Sequence, residues 1–80
     1  MRKVAPAYPS IARSARITGS VIVEVTIDES GNVIAARATK GPMIFYEAAV
    51  KAAMQWKYRP ARRGDQFVGD KQPISFNFTL

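Results

Sequence analysis

Cysteine and histidine are both absent from the 80-residue sequence. Their absence excludes disulfide frameworks, thiol chemistry, the usual zinc sites and the commonest general base. No apolar run approaches the roughly 20 residues that a membrane-spanning helix needs, and the N-terminus lacks the apolar region of a signal peptide. These absences remove most familiar catalytic chemistry, whereas the lack of cysteine does not fix the cellular compartment.

Acidic residues are also scarce, with six Asp and Glu against twelve Lys and Arg. Only Asp28 and Glu29 are neighbours, and the Gly31 and Asn32 that follow them are typical of a turn. The spacing does not match an EF-hand calcium loop, and no Gly-rich phosphate-binding loop is present. We therefore expect no catalytic residue, no metal site and no cofactor, and predict that the chain is not an enzyme.

The formal charge of +6 favours anionic partners such as nucleic acid, lipid headgroups or acidic protein surfaces. Its densest group is Arg59, Arg62 and Arg63, in a segment with the composition of a loop rather than of a recognition helix. A solvated surface is the simpler interpretation of such a group. A basic nucleic-acid-binding module remains the alternative function.

The last residues, 73–80, alternate apolar and small polar side chains, which is the period of a half-buried β-strand. Pro73 cannot donate to a ladder and suits the first residue of an edge strand. No further strand follows, so we expect an uncovered outer edge that is either an aggregation risk or a docking site. The alternation places four apolar residues in the core, namely Ile74, Phe76, Phe78 and Leu80.

Earlier segments predict a hairpin. Residues 21–28 alternate as a strand, residues 28–32 form a turn in which Gly31 takes positive φ, and residues 33–39 return as a second strand. The second strand changes phase, which indicates either a β-bulge near Ile34 and Ala35 or a face covered by small residues only.

Two helices flank this hairpin. The first opens at residues 8–10, directs Ile11, Ala12 and Ala15 to one face, and ends at Gly19 as a left-handed cap. The second follows the break at residues 41–42 and runs over residues 43–57. Its apolar stripe consists of Phe45, Ala48, Ala49, Ala52, Ala53 and Trp56.

Residues 61–65 are expected to be a loop, residues 66–68 a short extended piece and residues 69–71 a turn. The element order α-β-β-α-β predicts an α+β fold with two helices on one face of a three-stranded antiparallel sheet. The neighbour of the terminal strand is not determined by this order.

Several residues follow one another in a characteristic order and spacing, namely Tyr8 and Pro9, Gly19 before the Val-rich strand, Gly31, the Ala-rich segment after Glu47 and, above all, Trp56-x-Tyr58-x-Pro60. In this order and spacing they resemble the C-terminal domain of TonB-family proteins. The resemblance covers residues 8–80 and leaves residues 1–7 as an extended N-terminal arm. Structural reasons exist as well, since Trp56 would pack the helix against the sheet and Pro60 would stop the helix.

The resemblance implies a non-catalytic adaptor in the periplasm, anchored in the inner membrane by an N-terminal helix that this sequence lacks. Such proteins dock the TonB box of outer-membrane transporters by β-strand addition. They transmit energy from an inner-membrane proton-driven complex for uptake of siderophores, vitamin or other substrates. A TonB-like interaction domain of another envelope protein and an edge-paired homodimer are alternatives, and no nucleic acid is expected.

The implied contact residues fall into three groups. The partner strand would align on Ile74, Ser75, Phe76, Asn77, Phe78 and Thr79, and the arm residues Pro6, Ala7 and Tyr8 would lie beside it. Arg59, Arg62, Arg63 and Lys71 would steer acidic transporter segments. The sequence departs from the family at Tyr46, where an acidic residue is common.

Overall fold

Three strands form the main sheet, which is antiparallel and has the order β2-β1-β5. The computed structural model describes the backbone of residues 1–80 and every side chain except those of Ala61 and Phe67. The elements are α1 Ser10–Ser14, β1 Gly19–Ile27, β2 Val33–Lys40, α2 Tyr46–Ala53, β3 Ala61–Arg63, β4 Gln66–Val68 and β5 Asp70–Phe78.

This architecture confirms the predicted α+β fold, in which helices cover one face of a three-stranded antiparallel sheet. Alternate residues of β1 and β5 point into a single apolar cluster, where a fully buried aliphatic or aromatic side chain stabilises the fold by about 1.5–3 kcal/mol. Within the residues that the structure describes, no helix has the length and apolar character needed to cross a membrane. The buried residues of the sheet and helices are Ala12, Val21, Val23, Val25, Ile27, Val33, Phe45, Ala49, Ala52, Ala53, Ile74, Phe76 and Phe78.

The β1–β2 hairpin forms as predicted, with Gly31 at φ 88° in its turn. Thr26 pairs with Ala35 whereas Ile27 pairs with Val33, so Ile34 is an extra residue and forms the predicted bulge. Val33 is buried and Ile34 is 59% exposed. Because the bulge shifts the alternation by one residue, Ala36 and Ala38 rather than Ala35 and Arg37 face the core beyond it, so small residues cover this part of the face as well.

The first helix is shorter than predicted, and its cap was assigned to the wrong residue. Arg16, at φ 57°, is the left-handed residue, and the N–H groups of Arg16 and Ile17 donate back to Arg13 and Ala12. Gly19 instead begins β1. Ala12 is buried as expected, but Ile11 and Ala15 are exposed because five residues give the helix little more than one turn.

The second helix is also shorter than the predicted residues 43–57. Met43–Phe45 form a single 3₁₀ turn and α2 ends at Ala53, well before Pro60, so Pro60 does not stop the helix. The predicted stripe does face the core, with Ala49 fully buried and Ala48 and Trp56 packed against its rim. Beyond the helix the chain turns to bring Trp56 towards the sheet.

The C-terminal third differs most from the expectation. Residues 61–63 are strand β3 rather than loop, and they pair with β4, the predicted extended piece. The final strand begins at Asp70, so the turn expected at residues 69–71 was wrong in its last two residues. It ends at Phe78, and Leu80 is 64% exposed rather than part of the core.

Candidate docking edge

The outer side of β5 is the candidate site because the sheet order leaves it without a neighbouring strand. All nine residues of β5 pair with β1 in one unbroken register, from Gly19 opposite Phe78 to Ile27 opposite Asp70. A strand held in one register presents a row of outward N–H and C=O groups, except where a proline such as Pro73 has no N–H. This geometry can accept a further strand without rearrangement.

The opposite edge of the sheet, formed by β2, is less suitable. Besides the bulge at Ile34, the register shifts again where Ile22 pairs with Lys40 and Val23 pairs with Ala38, so Thr39 is also an extra residue. Bulges interrupt the row of edge groups and increase the local twist, which is how natural sheets discourage further pairing. Of the two edges, only β5 keeps a single register, without a bulge, over its whole length.

The side chains of residues 74–79, predicted to bind the partner strand, alternate between the core and the open face as the sequence pattern indicates. Ile74, Phe76 and Phe78 are buried, whereas Ser75 and Asn77 are exposed on the open face of the sheet. The hydroxyl of Ser20 donates to the side-chain oxygen of Asn77 at 2.6 Å. Thr79 lies beyond the end of β5, so it continues the line of the edge without belonging to the strand.

Aromatic rings support β5 from inside. Phe78 stacks on Phe45 with 4.2 Å between ring centroids, and Tyr8 meets both rings edge-on at 5.7 and 5.8 Å. Trp56 meets Phe76 edge-on at 5.7 Å. Such pairs add about 0.5–1.5 kcal/mol each beyond the area that they bury. The edge is therefore held by rigid aromatic contacts.

The N-terminal arm packs against these same rings. Arg2 and Lys57 exchange backbone hydrogen bonds of 2.6 and 2.9 Å, and the indole N–H of Trp56 donates to the carbonyl of Val4 at 2.8 Å. At its other end, the Tyr8 hydroxyl donates to the carbonyl of Ile17. The arm thus connects the segment after α2 with the ring stack beneath β5.

The three predicted arm residues have different surroundings. Tyr8 lies under the C-terminal end of β5, against Phe78. Pro6 and Ala7 instead line a shallow groove along α2 with Ala48 and Lys51. Of the three, Tyr8 is the one that the structure brings into contact with the edge strand. The Arg2 and Val4 contacts were missed by the sequence reasoning, since they join an aperiodic segment to residues far along the chain.

The four predicted steering residues do not form one cluster on one element. Arg62 and Arg63 belong to β3, Arg59 precedes that strand, and Lys71 lies near the start of β5 opposite Thr26.

The β3–β4 hairpin, which the sequence analysis missed, does have a signal in the sequence. Gly64 followed by Asp65 is typical of a two-residue turn, and Gly64 has φ 64° in the structure.

One acidic group lies among these cations. The Gln72 side chain and the Lys71 N–H donate to the Asp70 carboxylate, and these bonds, with the nearby charge of Arg63, hold its pKa below the ordinary value. Asp70 therefore stays ionised and offsets part of the positive charge at the start of β5.

Comparison with known proteins agrees with this architecture. The family model for the C-terminal region of the Gram-negative bacterial TonB protein matches residues 4–80, nearly the whole chain. The chain belongs to the TonB C-terminal family. The Trp56-x-Tyr58-x-Pro60 pattern, the most specific part of the resemblance, occupies the connection between α2 and β3 in this family member.

Relatives cover the chain well. Protein TonB of Vibrio cholerae serotype O1 is 37% identical over 60 residues, which is 72% of this chain and 25% of that protein. Protein tonB2 of Pseudomonas aeruginosa is 36% identical over 78 residues, which is 95% of this chain and 29% of that protein. This TonB-family chain therefore spans about a quarter of the length of these relatives.

A solved structure agrees as well. The solution NMR structure of the Pseudomonas aeruginosa TonB C-terminal domain superposes with a TM-score of 0.77 at 26% identity, covering 100% of this chain and 83% of that one. The fold described above is thus that of a TonB C-terminal domain.

Proposed function

We propose that this TonB-family domain is a non-catalytic periplasmic adaptor that docks an extended segment, the TonB box, of an outer-membrane transporter as an added strand on β5. In this proposal the full-length protein is anchored in the inner membrane and transmits energy from a proton-driven complex, for uptake of siderophores, vitamin or other substrates. Family membership supports the role, and the unbroken register of β5 at a free edge of the sheet is the observation that carries the docking mode.

The mechanics of a paired strand suit the transmission of force. A strand added to β5 forms several main-chain hydrogen bonds, each worth about 0.5–1.5 kcal/mol net. Tension directed along the strand loads these bonds together rather than one after another. The buried anchors Ile74, Phe76 and Phe78 would hold β5 itself in the sheet under that load.

Residues 1–7 are proposed to act as an extended arm beside the domain of residues 8–80, held to it by the backbone contacts of Arg2 and Val4. Pro6, Ala7 and Tyr8 would lie along the inner side of a docked segment. Tyr8 supports this assignment directly, because its ring is 5.7 Å from that of Phe78. Pro6 and Ala7, on the groove along α2, would have to be reached by longer side chains of the segment.

Steering of acidic transporter segments is proposed for Arg59, Arg62, Arg63 and Lys71. Charges near an interface mainly raise the association rate, and salt screens them. We therefore expect the association rate to fall when salt is raised, with a smaller change in the dissociation rate. A dissociation rate that responds to salt as strongly as the association rate would contradict steering.

A titration of the ¹⁵N-labelled domain with a synthetic TonB-box peptide tests the docking mode. We expect amide shifts at residues 74–79 and at Ala7 and Tyr8, with none along β2, which serves as the internal control edge. A peptide of the same composition in scrambled order should produce smaller shifts. Shifts confined to α1, α2 or β2 would refute docking on β5.

The same titration, together with sedimentation, also tests two alternative partners. If a second copy of the chain occupied the β5 edge, sedimentation would depend on protein concentration, and the peptide would dissociate the pair. If the partner were another envelope protein, β5 would still respond to an extended peptide, but transporter-derived sequences would bind no better than scrambled ones.

A further inference from the structure

The backbone of β5 has two alternating sets of groups, and the question is which set faces the free edge. In an antiparallel strand the N–H and C=O of one residue point to the same side, and successive residues point to opposite sides. One set of β5 residues therefore bonds to β1, while the other is available to a partner. Three observations assign the sets.

The first observation is Pro73, which lies in the middle of the register opposite Glu24. Proline has no N–H, so if its set bonded to β1, the ladder would lose a hydrogen bond at its centre. Within sheets, proline is confined to edge strands with its nitrogen facing outward. The set that contains Pro73, Ser75 and Asn77 therefore faces the free edge.

The second observation is at the other end of the set. Ser20 and Asn77 are opposite one another, and their side chains are hydrogen bonded at 2.6 Å. Directly opposite residues come closest when their backbones do not exchange hydrogen bonds. The close Ser20–Asn77 contact thus agrees with an Asn77 backbone that points away from β1.

The third observation comes from β1 itself. The Asp28 N–H donates across the hairpin to Asn32, so the backbone of Asp28 faces the β2 side. By alternation Val21 and Val23 then face β5, where their partners are Phe76 and Ile74. The bonded set of β5 therefore contains Ile74 and Phe76, and the outward set is again that of Pro73.

We propose that Pro73 terminates the hydrogen-bonding edge of β5, so that a docked segment pairs with Ser75 and Asn77 in one register. This inference rests on the proposed docking function. Ser75 and Asn77 each offer an N–H and a C=O to the partner, whereas Pro73 offers only its C=O. A segment that slid towards Lys71 would leave one of its own carbonyls without a donor opposite Pro73, which weakens binding about tenfold.

The assignment of Pro73, Ser75 and Asn77 to the outward set also defines which side chains a docked segment can carry. Segment residues directly opposite Ser75 and Asn77 would place their side chains on the open face, among polar neighbours. The residue between them would lie beside Phe76, on the side where Trp56 and the arm pack. The edge therefore fits a short extended segment with an apolar side chain at that central position and polar or β-branched side chains on either side of it.

Amide hydrogen exchange of the free protein tests, without any partner, which set of β5 residues faces the free edge. We expect fast exchange at Ser75 and Asn77 and slow exchange at Ile74 and Phe76, since only the latter bond to β1. Slow exchange at Ser75 with fast exchange at Phe76 would overturn the assignment. This measurement holds even if no peptide binds, in which case the proposed function fails while the phase is still decided.

The variant Pro73→Val tests the termination. It adds an outward N–H, and we expect it to bind the synthetic TonB-box peptide about three- to tenfold more tightly, with exchange protection of the peptide extending further towards Lys71. Gln72→Val is the matched control, because the same side chain is introduced in the set that bonds to β1, and peptide affinity should not change. A higher unfolding temperature of Pro73→Val with unchanged peptide binding would overturn the proposal.

Discussion

The sharpest stability test compares two glycines that share a left-handed conformation. Gly31 lies in the turn of the β1–β2 hairpin and Gly64 in that of the β3–β4 hairpin. Gly31 has φ 88° and Gly64 has φ 64°. Alanine in such a conformation costs about 1–2 kcal/mol, and its effect on the unfolded chain is the same at both sites. Any difference between Gly31→Ala and Gly64→Ala therefore comes from what surrounds each residue.

Those surroundings are very different. A Cβ on Gly31 would lie 2.0 Å from the carbonyl oxygen of Tyr58, whereas a Cβ on Gly64 would meet nothing within 4 Å. The clash would separate the two segments and break the 2.8 Å hydrogen bond from the Tyr58 N–H to Gly31, which is worth about 1 kcal/mol. We expect Gly31→Ala to lose at least about 1 kcal/mol more than Gly64→Ala, out of a total of roughly 5 kcal/mol for such a small domain.

Urea unfolding followed by the fluorescence of Trp56, the single tryptophan, measures both variants. A difference of 1 kcal/mol corresponds to about 4–8 °C in unfolding temperature for a domain of this size, well within resolution. Equal losses for the two variants would refute the reasoning, because the contact with Tyr58 would then contribute nothing. A change in the slope of the urea dependence would indicate instead that the unfolded state differs.

Trp56→Phe keeps a ring against Phe76 but removes the N–H that donates to the Val4 carbonyl. We therefore expect the free energy of unfolding to fall by about 1 kcal/mol and amide exchange in the arm to become faster. Unchanged exchange would contradict the anchoring role of the indole. Backbone N–H groups, first that of Asn32 and also that of Ser30, lower the pKa of Asp28. The ionised Asp28 carboxylate therefore stabilises the fold at pH values above the ordinary carboxyl pKa. This stabilisation is lost as pH falls through the pKa that Asp28 has in the folded protein. Asp28→Asn should therefore show a smaller fall in thermal midpoint between about pH 4 and pH 2 than the wild type; the same result from the neighbouring Glu29→Gln would contradict the assignment to Asp28.

Regular alternation made two of the strands predictable. In β1 from Val21 and in β5 from Ile74, every second residue is apolar, because one face of these segments is buried and the other is more open to solvent. The bulge at Ile34 was predictable for the same reason, since an extra residue leaves a visible change of phase. These elements carry most of the fold, and their periodicity is local information.

The features that sequence reasoning missed depend on contacts between distant segments. Arg16 takes the left-handed position that Gly19 was expected to occupy, and Gly19 is needed instead as the first residue of β1, close to Pro42. The helix α2 ends early, and Trp56 lies where it can reach both Phe76 and Val4. Nothing within a few residues of these positions encodes such demands.

The candidate site was only half accessible from the sequence. The alternation of residues 73–80 indicated an edge, but not that β1 is its neighbour, nor that β2 is the bulged strand on the far side. The phase of the outward groups needed the register that pairs Pro73 with Glu24. The contact residues themselves remain predictions for the experiments above.

The difference between the two sheet edges also limits how copies of this chain could assemble. Continuous growth by strand pairing requires each molecule to offer two usable edges, so that every addition leaves a new one. Here the second edge is β2, which is interrupted at Ile34 and Thr39. Pairing of β5 with another β5 would consume both regular edges and close the assembly at a pair, so the edge that makes docking possible need not lead to a fibre.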